Sequence, residues 1–483
     1  MTFYDKIFVN DTKNNKKEGT SMNTRLSRII ENFTNKVMGR FSQDNILSVE
    51  EIEDSLWNDS SDFVRESIAA YAEMIDQLIL EQKQERKKAR ITVHKRNVSR
   101  EYLSKFGQVE FARTYYKTES GYGYLADKVV GLESYDRISK NVCAELVDRA
   151  ALMSYQRSTE ETTKGKVTKQ TVMNQIRKTK GLELIPKGKV KKARFLYVVA
   201  DEDHVPLQNG KNVIVPLITV HEGIENVSKN RNRCVNAKHF SDYGKPAKVL
   251  WEEVGAWLAE EYDVDSIERI YLHGDGAGWI RTGLEFFPRS RFVLDKYHIE
   301  KSIKTVTGGT MRGYSFRIRR ALQNYDLNKF KDIVDEMLME VESSSQGQKI
   351  LRFKKYIMNN WDGIAIRKND SKCGGSCTEA QVSHVLAERL SRGPKGWSEV
   401  GLKYMSKLRV FKVNGERIKA ENIKKRNEKV ELCEMEKRVV KMVKEVFAEA
   451  KNYSIFEKED FKISKMTPIT RMFKGISHTG YAF

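Results

Sequence analysis

Two aspartates follow apolar, β-branched segments that have the composition of buried strands. Asp201 closes the run RFLYVVAD, and Asp275 closes the run IYLHGD. Carboxylates at the ends of neighbouring buried strands are costly unless a cation or hydrogen-bond donors meet them. Mg²⁺ prefers carboxylate oxygens, and a pair of such ions can activate a water or a 3′-hydroxyl for attack on phosphate. A lone aspartate there more commonly caps the following turn, but the pairing, with Gly274, Gly276 and Gly278 leaving space around Asp275, favours a metal site.

A third acid is indicated by helical phase in the segment TEAQVSHVLAERL. At about 100° per residue, three apolar residues fall within roughly 60° of Glu379; these are Val382, Leu386 and Leu390. The wheel therefore predicts that Glu379 faces the sheet, where a carboxylate needs a ligand. Glu388 lies roughly 180° away on the same wheel and is expected to face solvent.

The segments around these acids alternate in a way that is typical of a mixed α/β sheet. Three strand-like runs, RFLYVVAD, NVIVPLITVHEG and RCVNAKHF, precede a helical segment, AKVLWEEVGAWLAEEY, and two more strands, IERIYLHGD and RFVLD. Three strands that can form a meander, followed by alternating helices and strands, predict a mixed sheet flanked by helices. No GxGxxG or Walker lysine motif occurs, so we do not expect a nucleotide or other small-molecule substrate.

The charge balance points to a polyanionic partner. The 483 residues carry 86 Lys and Arg against 66 Asp and Glu, a formal net charge of +20, and 40% are hydrophobic. A folded chain with such an excess is suited to nucleic acid, because each phosphate that a basic side chain neutralises releases counterions. We therefore expect double-stranded DNA as the partner, although a basic protein without that partner would have the same composition.

Residues 141–178 resemble a helix-turn-helix, with TTKGKV as the turn. The second helix presents polar and basic residues of the types that contact bases and phosphates: Lys169, Gln170, Asn174, Arg177 and Lys178. An ordinary helical hairpin with a solvated face fits the pattern equally well. Trp361 could stack on an unpaired base, but a tryptophan in a helical segment is more commonly part of a core.

The remaining signals concern the compartment. No apolar run approaches the length that spans a bilayer, and the first residues lack the apolar segment of a signal peptide. Five scattered cysteines do not form a disulfide framework. Cys373 and Cys377 have the spacing of half a zinc site, but no second pair lies nearby. We expect a cytoplasmic, nucleoid-associated protein without a membrane partner.

Several blocks of the sequence closely resemble the ISLre-type bacterial insertion-sequence transposases, which are DDE transposases related to the Mutator-like transposases. The most specific block is CTEAQVSHVLAERLSRGPKGWS, and the blocks ARTYYKTESGYGYLADKVVGL, ADEDHVPLQ, LHGDGAGWI and LDKYHIEKSI match in the same order. The resemblance covers about residues 91–410. It implies an α/β, ribonuclease-H-like fold with a helical insertion between the last strand and the glutamate-bearing helix.

The resemblance also implies roles for individual residues. The family's catalytic, metal-binding triad falls on Asp201, Asp275 and Glu379, with Asp203 as the alternative first ligand. The family's Asp-x-x-His element falls on Asp295 and His298; a lone histidine after a strand is otherwise often structural. The cofactor would be two Mg²⁺ or Mn²⁺ ions. We expect His298, oriented by Asp295, to position a phosphate or water beside the metals rather than to bind them.

Together these observations predict the following domains. They are a helical region (1–90), a β-hairpin with a helix-turn-helix (91–185), the first part of a ribonuclease-H-like core (190–298), a helical insertion (299–372), the glutamate-bearing helix of the core (373–397) and a basic helical region (398–483). The predicted function is a DNA transposase that binds the terminal inverted repeats of its element, cleaves DNA and joins it, acting as a homo-oligomer. The alternatives are a nuclease of the same fold without joining activity, and a helix-turn-helix regulator with structural carboxylates.

Overall fold

A computed structural model describes residues 20–41, 47–186, 188, 190–229, 231–393, 395–424 and 432–452. Parts of the predicted terminal regions, residues 1–19, 425–431 and 453–483, lie outside the described residues. By its contacts the chain divides into two compact units, one formed by residues 1–139 and 425–483 and the other by residues 140–424. The predicted hairpin and helix-turn-helix therefore belong to different units. Within the described ranges, no helix is long and apolar enough to cross a membrane.

The first unit packs long helices against a small antiparallel sheet. In chain order it contains α1 (Thr20–Phe41), α2 (Val49–Glu81), α3 (Lys83–Lys88), β1 (Thr92–Ser104), β2 (Gly107–Thr118), β3 (Gly121–Gly123), α4 (Leu125–Val129) and α18 (Glu434–Asn452). Ser48 and Glu51 form a capping box that satisfies free backbone N–H groups at the start of α2. Buried residues of α2, β2 and α18, among them Ile79, Tyr116 and Val439, form one hydrophobic cluster.

The second unit begins with three short helices, α5 (Lys140–Ala150), α6 (Tyr155–Thr163) and α7 (Lys169–Ile176). Ser154 accepts a hydrogen bond from the backbone N–H of Arg157 and so starts α6. Thr168 caps α7 in the same way through Thr171. The predicted turn, TTKGKV (162–167), overlaps the end of α6 and leads into α7.

A five-stranded mixed sheet forms the centre of this unit. Its strands are β4 (Phe195–Pro206), β5 (Asn212–His221), β8 (Lys238–Phe240), β9 (Arg269–Gly274) and β10 (Ser290–Leu294). They lie in the order β10-β9-β4-β5-β8. β4 pairs antiparallel with β5, and β5 with β8, whereas β9 is parallel to both β4 and β10. The predicted mixed sheet is confirmed.

The third predicted strand is in fact divided between two sheets. After β5 the chain forms a separate two-stranded hairpin from β6 (Gly223–Ser228) and β7 (Arg231–Val235). Gly223, with φ +152, and Asn236, with φ +52, have backbone conformations that ordinary strand residues avoid. They stand at the two ends of the hairpin, where the chain leaves the main sheet and returns to it as β8.

Helices cover the sheet. They are α8 (Ala247–Glu261), α9 (Gly278–Arg281), α10 (Lys296–Val306), α11 (Tyr314–Gln323), α12 (Leu327–Glu340), α13 (Ser344–Asn359), α14 (Trp361–Asn369), α15 (Thr378–Gln381), α16 (Glu388–Leu390) and α17 (Glu399–Val413). Alternate residues of β4, such as Val198 and Ala200, pack with Trp251 of α8 in a core that continues into α10–α14. Residues Val382–Ala387, between α15 and α16, form a π-helical segment. The predicted glutamate-bearing helix is therefore not a regular α-helix.

Candidate functional site

Three aspartates come together on three neighbouring parallel strands: Asp275 and Asp295 directly follow β9 and β10, and Asp201 lies within β4. The last paired residues are Val199 opposite His273, so continuing the parallel register by two residues brings Asp201 beside Asp275. Asp295 follows β10, and its backbone N–H donates to the Gly274 carbonyl at 2.9 Å. The sequence suggested that Asp201 ends its strand. In the structure it does not, because β4 continues along β5 to Pro206. It lies where β9 has stopped, which leaves that side of the strand open.

His298 links two of these carboxylates. Asp295 caps α10, and its side chain accepts from the backbone N–H of Tyr297. One helical turn on, the Nδ1 atom of His298 lies 3.0 Å from Asp295 Oδ2 and its Nε2 atom 4.0 Å from Asp201 Oδ1. Burial alone would lower the pKa of His298. The hydrogen bond to Asp295 and the charges of the nearby aspartates together outweigh burial, so the pKa is raised. The predicted proximity of the Asp-x-x-His pair is present in the structure.

The surroundings of the Asp201 carboxyl disfavour its charged form. The residue is 6% exposed. Burial, with the charges of Asp275 and Glu379 adding to its effect, raises its pKa to about 6, although the backbone N–H of Glu202 and the charge of His298 act in the opposite direction. The other two predicted ligands, Asp275 and Glu379, therefore both lie close enough to Asp201 for their charges to act on it. A charge of opposite sign at this point would relieve the repulsion.

Glu379 reaches this site from solvent rather than from the buried face that the helical wheel predicted. Its side chain is exposed, but its charge raises the pKa of both Asp201 and Asp203. The wheel assumed a regular α-helix, whereas only four residues precede the π-helical segment. Glu388 is exposed, as expected, and forms an ion pair with Arg409 at 2.8 Å.

Asp203, the alternative first ligand, is already engaged elsewhere. It is buried and accepts a hydrogen bond from Ser391 Oγ at 2.9 Å. Burial raises the pKa of this carboxyl. Because it shares a face of β4 with Asp201 but has a hydroxyl partner, the geometry favours Asp201 as the ligand and Asp203 as a contact to the segment after α16.

The glycines around Asp275 differ in what they do. A Cβ atom on Gly274 would meet the Ala200 carbonyl oxygen at 3.0 Å. Gly276 has φ +89, and a Cβ there would overlap the side-chain amide of Asn360. Gly278 has nothing within 4 Å of that position, so the expectation that it clears space is wrong. Gly276 is the residue that allows the Asp275 turn to approach α13 and α14.

A cleft beside Asp275 contains residues that the sequence did not single out. It is lined by Gly276, Arg281, Arg352, Lys355, Tyr356, Asn359 and Asn360. Arg281 donates to Asn360 Oδ1 at 2.9 Å and to Asp362 Oδ1 at 3.0 Å. Burial raises the pKa of Tyr356, and the charges of Asp275 and Asp295, which lie close enough to act on this phenol, add to the rise. Only contacts across the fold could have revealed this set, because no local motif joins its members.

The predicted DNA contacts on α7 lie on one exposed face. Val172 and Ile176 are buried against the other helices, while Lys169, Gln170, Asn174, Arg177 and Lys178 are all exposed. Trp361 is half-buried and packs against the main core, with its ring centroid 6.5 Å from that of Phe330. This packing supports a structural role for Trp361. Of the predicted DNA contacts, the exposed residues of α7 and its C-terminal end are therefore the stronger candidates.

The donor set around Asp201 fits hard divalent cations. Its ligands would be carboxylate oxygens, which Mg²⁺ and Mn²⁺ prefer. Burial and, to a smaller extent, the charges of Asp275 and Glu379 raise the pKa of Asp201, and a bound cation would offset both effects. Asp201, Asp275 and Glu379 would hold the ions, and His298 would stand beside them.

Comparison with known proteins places the chain in a family. Residues 42–427 match "Uncharacterised protein family (UPF0236)". The UPF0236 protein TTE2489 of Caldanaerobacter subterraneus subsp. tengcongensis is 38% identical over 418 residues, which cover 86% of this chain and 89% of the relative. A second protein of that organism, whose name carries many locus designations, is 36% identical over 92% of this chain and 96% of the relative. A UPF0236 protein "in vanSb 3'region" of Streptococcus gallolyticus is 24% identical over 66% of this chain and 73% of the relative. The chain belongs to the UPF0236 family.

Proposed function

We propose that this protein is a DDE transposase of the ISLre type that cleaves DNA at the ends of its mobile element and joins the ends to target DNA. The observation that carries the proposal is the meeting of Asp201 and Asp275 on adjacent parallel strands, with the charge of Glu379 acting on Asp201. The sheet order supports it, because three antiparallel strands followed by two parallel ones on the other side of the first strand is the arrangement of a ribonuclease-H-like core.

The relatives add independent support. One UPF0236 relative carries many locus designations of a single genome in its name. Near-identical copies of one gene at many loci are typical of mobile elements. A stand-alone nuclease or a regulator would not need such multiplication.

The chemistry would be direct in-line substitution at phosphorus. When bound, two Mg²⁺ or Mn²⁺ ions would activate the attacking oxygen and stabilise the leaving oxygen. Asp201, Asp275 and Glu379 would hold the ions in place. His298, fixed by Asp295 at 3.0 Å, would position a phosphate oxygen or water without taking a coordination position.

Two basic surfaces of the second unit would hold the DNA. Arg281, Arg352 and Lys355 line the cleft beside Asp275 and are suited to phosphates, since they carry positive charge to within reach of the reacting strand. The exposed face of α7 would read the terminal inverted repeats. Joining both ends in one reaction requires a homo-oligomer on the DNA.

The decisive experiment is a cleavage and strand-transfer assay with the DNA that flanks the gene. The wild-type protein should nick the element ends in Mg²⁺ or Mn²⁺ and join them to a target plasmid. Asp201→Asn and Asp275→Asn should abolish both steps while retaining end binding, and Asp203→Asn should keep most activity. Cleavage without joining would identify a nuclease, and EDTA-insensitive binding without cleavage would identify a regulator; either result contradicts the proposal.

Recognition of the ends can be tested separately. A triple alanine variant of Gln170, Asn174 and Arg177 should bind end DNA and random DNA alike, because each base contact contributes about 1–3 kcal/mol of discrimination. Lys169→Ala and Lys178→Ala should weaken binding to both DNAs equally and reduce its salt dependence. An unchanged preference of the triple variant in a competition gel shift would move the recognition surface away from α7.

A further inference from the structure

A second group of potential ligands lies apart from the carboxylates. It consists of His221, Cys234 and Cys377, and we call it the sulfur cluster. His221 ends β5, Cys234 lies in β7 of the hairpin, and Cys377 directly precedes α15. The two Sγ atoms are 2.7 Å apart, and Cys377 Sγ is 3.8 Å from His221 Nε2. Among the described residues, this is the only His, Cys, Asp or Glu group of three or more whose ligand atoms all lie within 4.8 Å of one another.

The surroundings orient the imidazole toward the two thiols. His221 Nδ1 lies 2.9 Å from the Gly223 carbonyl oxygen, which can only accept, so the ring donates from Nδ1 and its Nε2 lone pair faces Cys377. Metal-binding histidines commonly have this arrangement, with one nitrogen held by a carbonyl and the other free to coordinate. The Tyr197 ring stacks on the imidazole at 5.4 Å and fixes its plane.

We infer that His221, Cys234 and Cys377 form a binding site for a thiophilic cation, with Zn²⁺ as the best match. Two sulfurs and one imidazole nitrogen are the donors that Zn²⁺ takes in proteins, whereas Mg²⁺ takes oxygens. Water would occupy the fourth position. The Gln381 amide, whose Nε2 atom lies 3.3 Å from Cys234 Sγ, would donate a hydrogen bond to the metal-bound sulfur.

The distances require only a small adjustment. Tetrahedral zinc with bonds of about 2.3 Å to sulfur and about 2.0 Å to nitrogen separates two sulfurs by about 3.8 Å, and sulfur from nitrogen by about 3.5 Å. The Cys377–His221 separation of 3.8 Å is within about 0.3 Å of that value. The thiols, at 2.7 Å, would part by about 1 Å on binding, a displacement that side-chain rotation can supply. A disulfide would need them to close to about 2.0 Å and would leave the aligned histidine without a role.

The proposed zinc site would hold the start of the glutamate-bearing segment. Ser376 hydrogen-bonds to Asp295 and helps lower the pKa of that carboxyl, Cys377 joins the sulfur cluster, and Glu379 follows two residues later. A metal at Cys377 would thus tether this segment to the end of β5 and to the hairpin. This positional consequence rests on the proposed function, whereas the binding of zinc does not.

The test is the metal content of the full-length protein purified under reducing conditions without chelators. We expect about one zinc per chain by elemental analysis, and its loss in His221→Ala, Cys234→Ala and Cys377→Ala. Cys373→Ser is the matched control, because Cys373 is buried in a different cluster with Tyr271 and Val293 and its replacement should leave the zinc in place. Circular dichroism of each variant would show which of them retain the fold.

Two measurements on the wild-type protein avoid reliance on variants. Titration with an organic mercurial should release the zinc as the thiols react, and Co²⁺ substitution should give sulfur-to-metal charge-transfer bands. Protein without stoichiometric zinc, a Cys234–Cys377 disulfide under reducing conditions, or zinc retained in all three variants would each overturn the inference. None of these metal measurements uses DNA, so they do not depend on the proposed function. A protein that contains zinc but neither cleaves nor joins DNA would therefore count against the transposase proposal alone.

Discussion

The carboxylate site and the sulfur cluster lie in the same unit but are built in opposite ways. Asp201 lies within β4, and Asp275 and Asp295 directly follow the adjacent strands β9 and β10, so the register of one sheet brings them together. The members of the sulfur cluster come from a strand end, a separate hairpin and a distant loop, and Cys234 and Cys377 are 143 positions apart in the sequence. The first site follows from secondary structure, whereas the second exists only once the tertiary fold has formed.

The electrostatics of the two sites also differ. In the carboxylate site, burial and like charges raise the pKa of Asp201 to about 6, so the site is unfavourable without a cation. In the sulfur cluster, the hydrogen bond from Cys377 lowers the pKa of Cys234, so one thiol supports the thiolate of the other. Oxygen donors that repel suit an ion that exchanges with substrate and solvent, while the sulfur donors suit one that stays bound.

The largest difference is expected between two glutamates of the same segment. Glu379→Gln should abolish cleavage and joining, because the residue acts on Asp201 and would lose a ligand charge. Glu388→Gln should retain near-normal activity, since its partner is Arg409 and an amide can still accept that hydrogen bond. Strand-transfer assays on both variants check this, and an inactive Glu388→Gln with an active Glu379→Gln would reverse the assignment.

These glutamates also show what the sequence could and could not predict. The β-branched runs around Asp201 and Asp275 predicted the strands and the sheet, because burial and strand composition are local properties. The wheel identified Glu379 but misjudged its burial, since the π-helical segment at 382–387 has no simple sequence signature. Cys377 was considered with Cys373, its neighbour in sequence, because the pairing with Cys234 and His221 requires the hairpin to leave the sheet at Gly223.

A smaller loss is expected for the histidine beside the metals. His298→Ala should slow cleavage by about 10- to 100-fold at saturating Mg²⁺, the usual effect of losing a partner outside the ligand set. The Mg²⁺ concentration for half-maximal activity should not change, because His298 Nε2 lies 4.0 Å from Asp201 rather than in a ligand position. His204→Ala, at an exposed position on β4, is the control. A large shift in the Mg²⁺ requirement at an unchanged saturated rate would make His298 part of the metal site.

A still smaller effect on activity is expected from the sulfur cluster. Cys377→Ala should remove the zinc and reduce strand transfer by about tenfold, because Glu379 loses a tether but keeps its charge. Cys373→Ala should alter neither zinc nor strand transfer beyond a modest loss of stability. The two sites would prove independent if Cys377→Ala lost its zinc and kept full activity, and the link through residues 376–379 would then be wrong.

The smallest effect separates two glycines that flank the same turn. Gly276→Ala should lower the free energy of unfolding by about 1–3 kcal/mol, because φ +89 disfavours a side chain and the new methyl would press on Asn360. Gly278→Ala should be close to neutral, since nothing lies within 4 Å of its Cβ position.

Displacing Asn360 would also release Arg281, which it holds at 2.9 Å, so Gly276→Ala should weaken DNA binding in the cleft while its zinc content stays at the wild-type value. Thermal unfolding, a gel shift and elemental analysis on both variants measure these three quantities. Equal stability of the two variants would show that the approach of Asn360 does not constrain the Asp275 turn. Loss of zinc from Gly276→Ala would show that the carboxylate site and the sulfur cluster are coupled through the sheet as well as through residues 376–379.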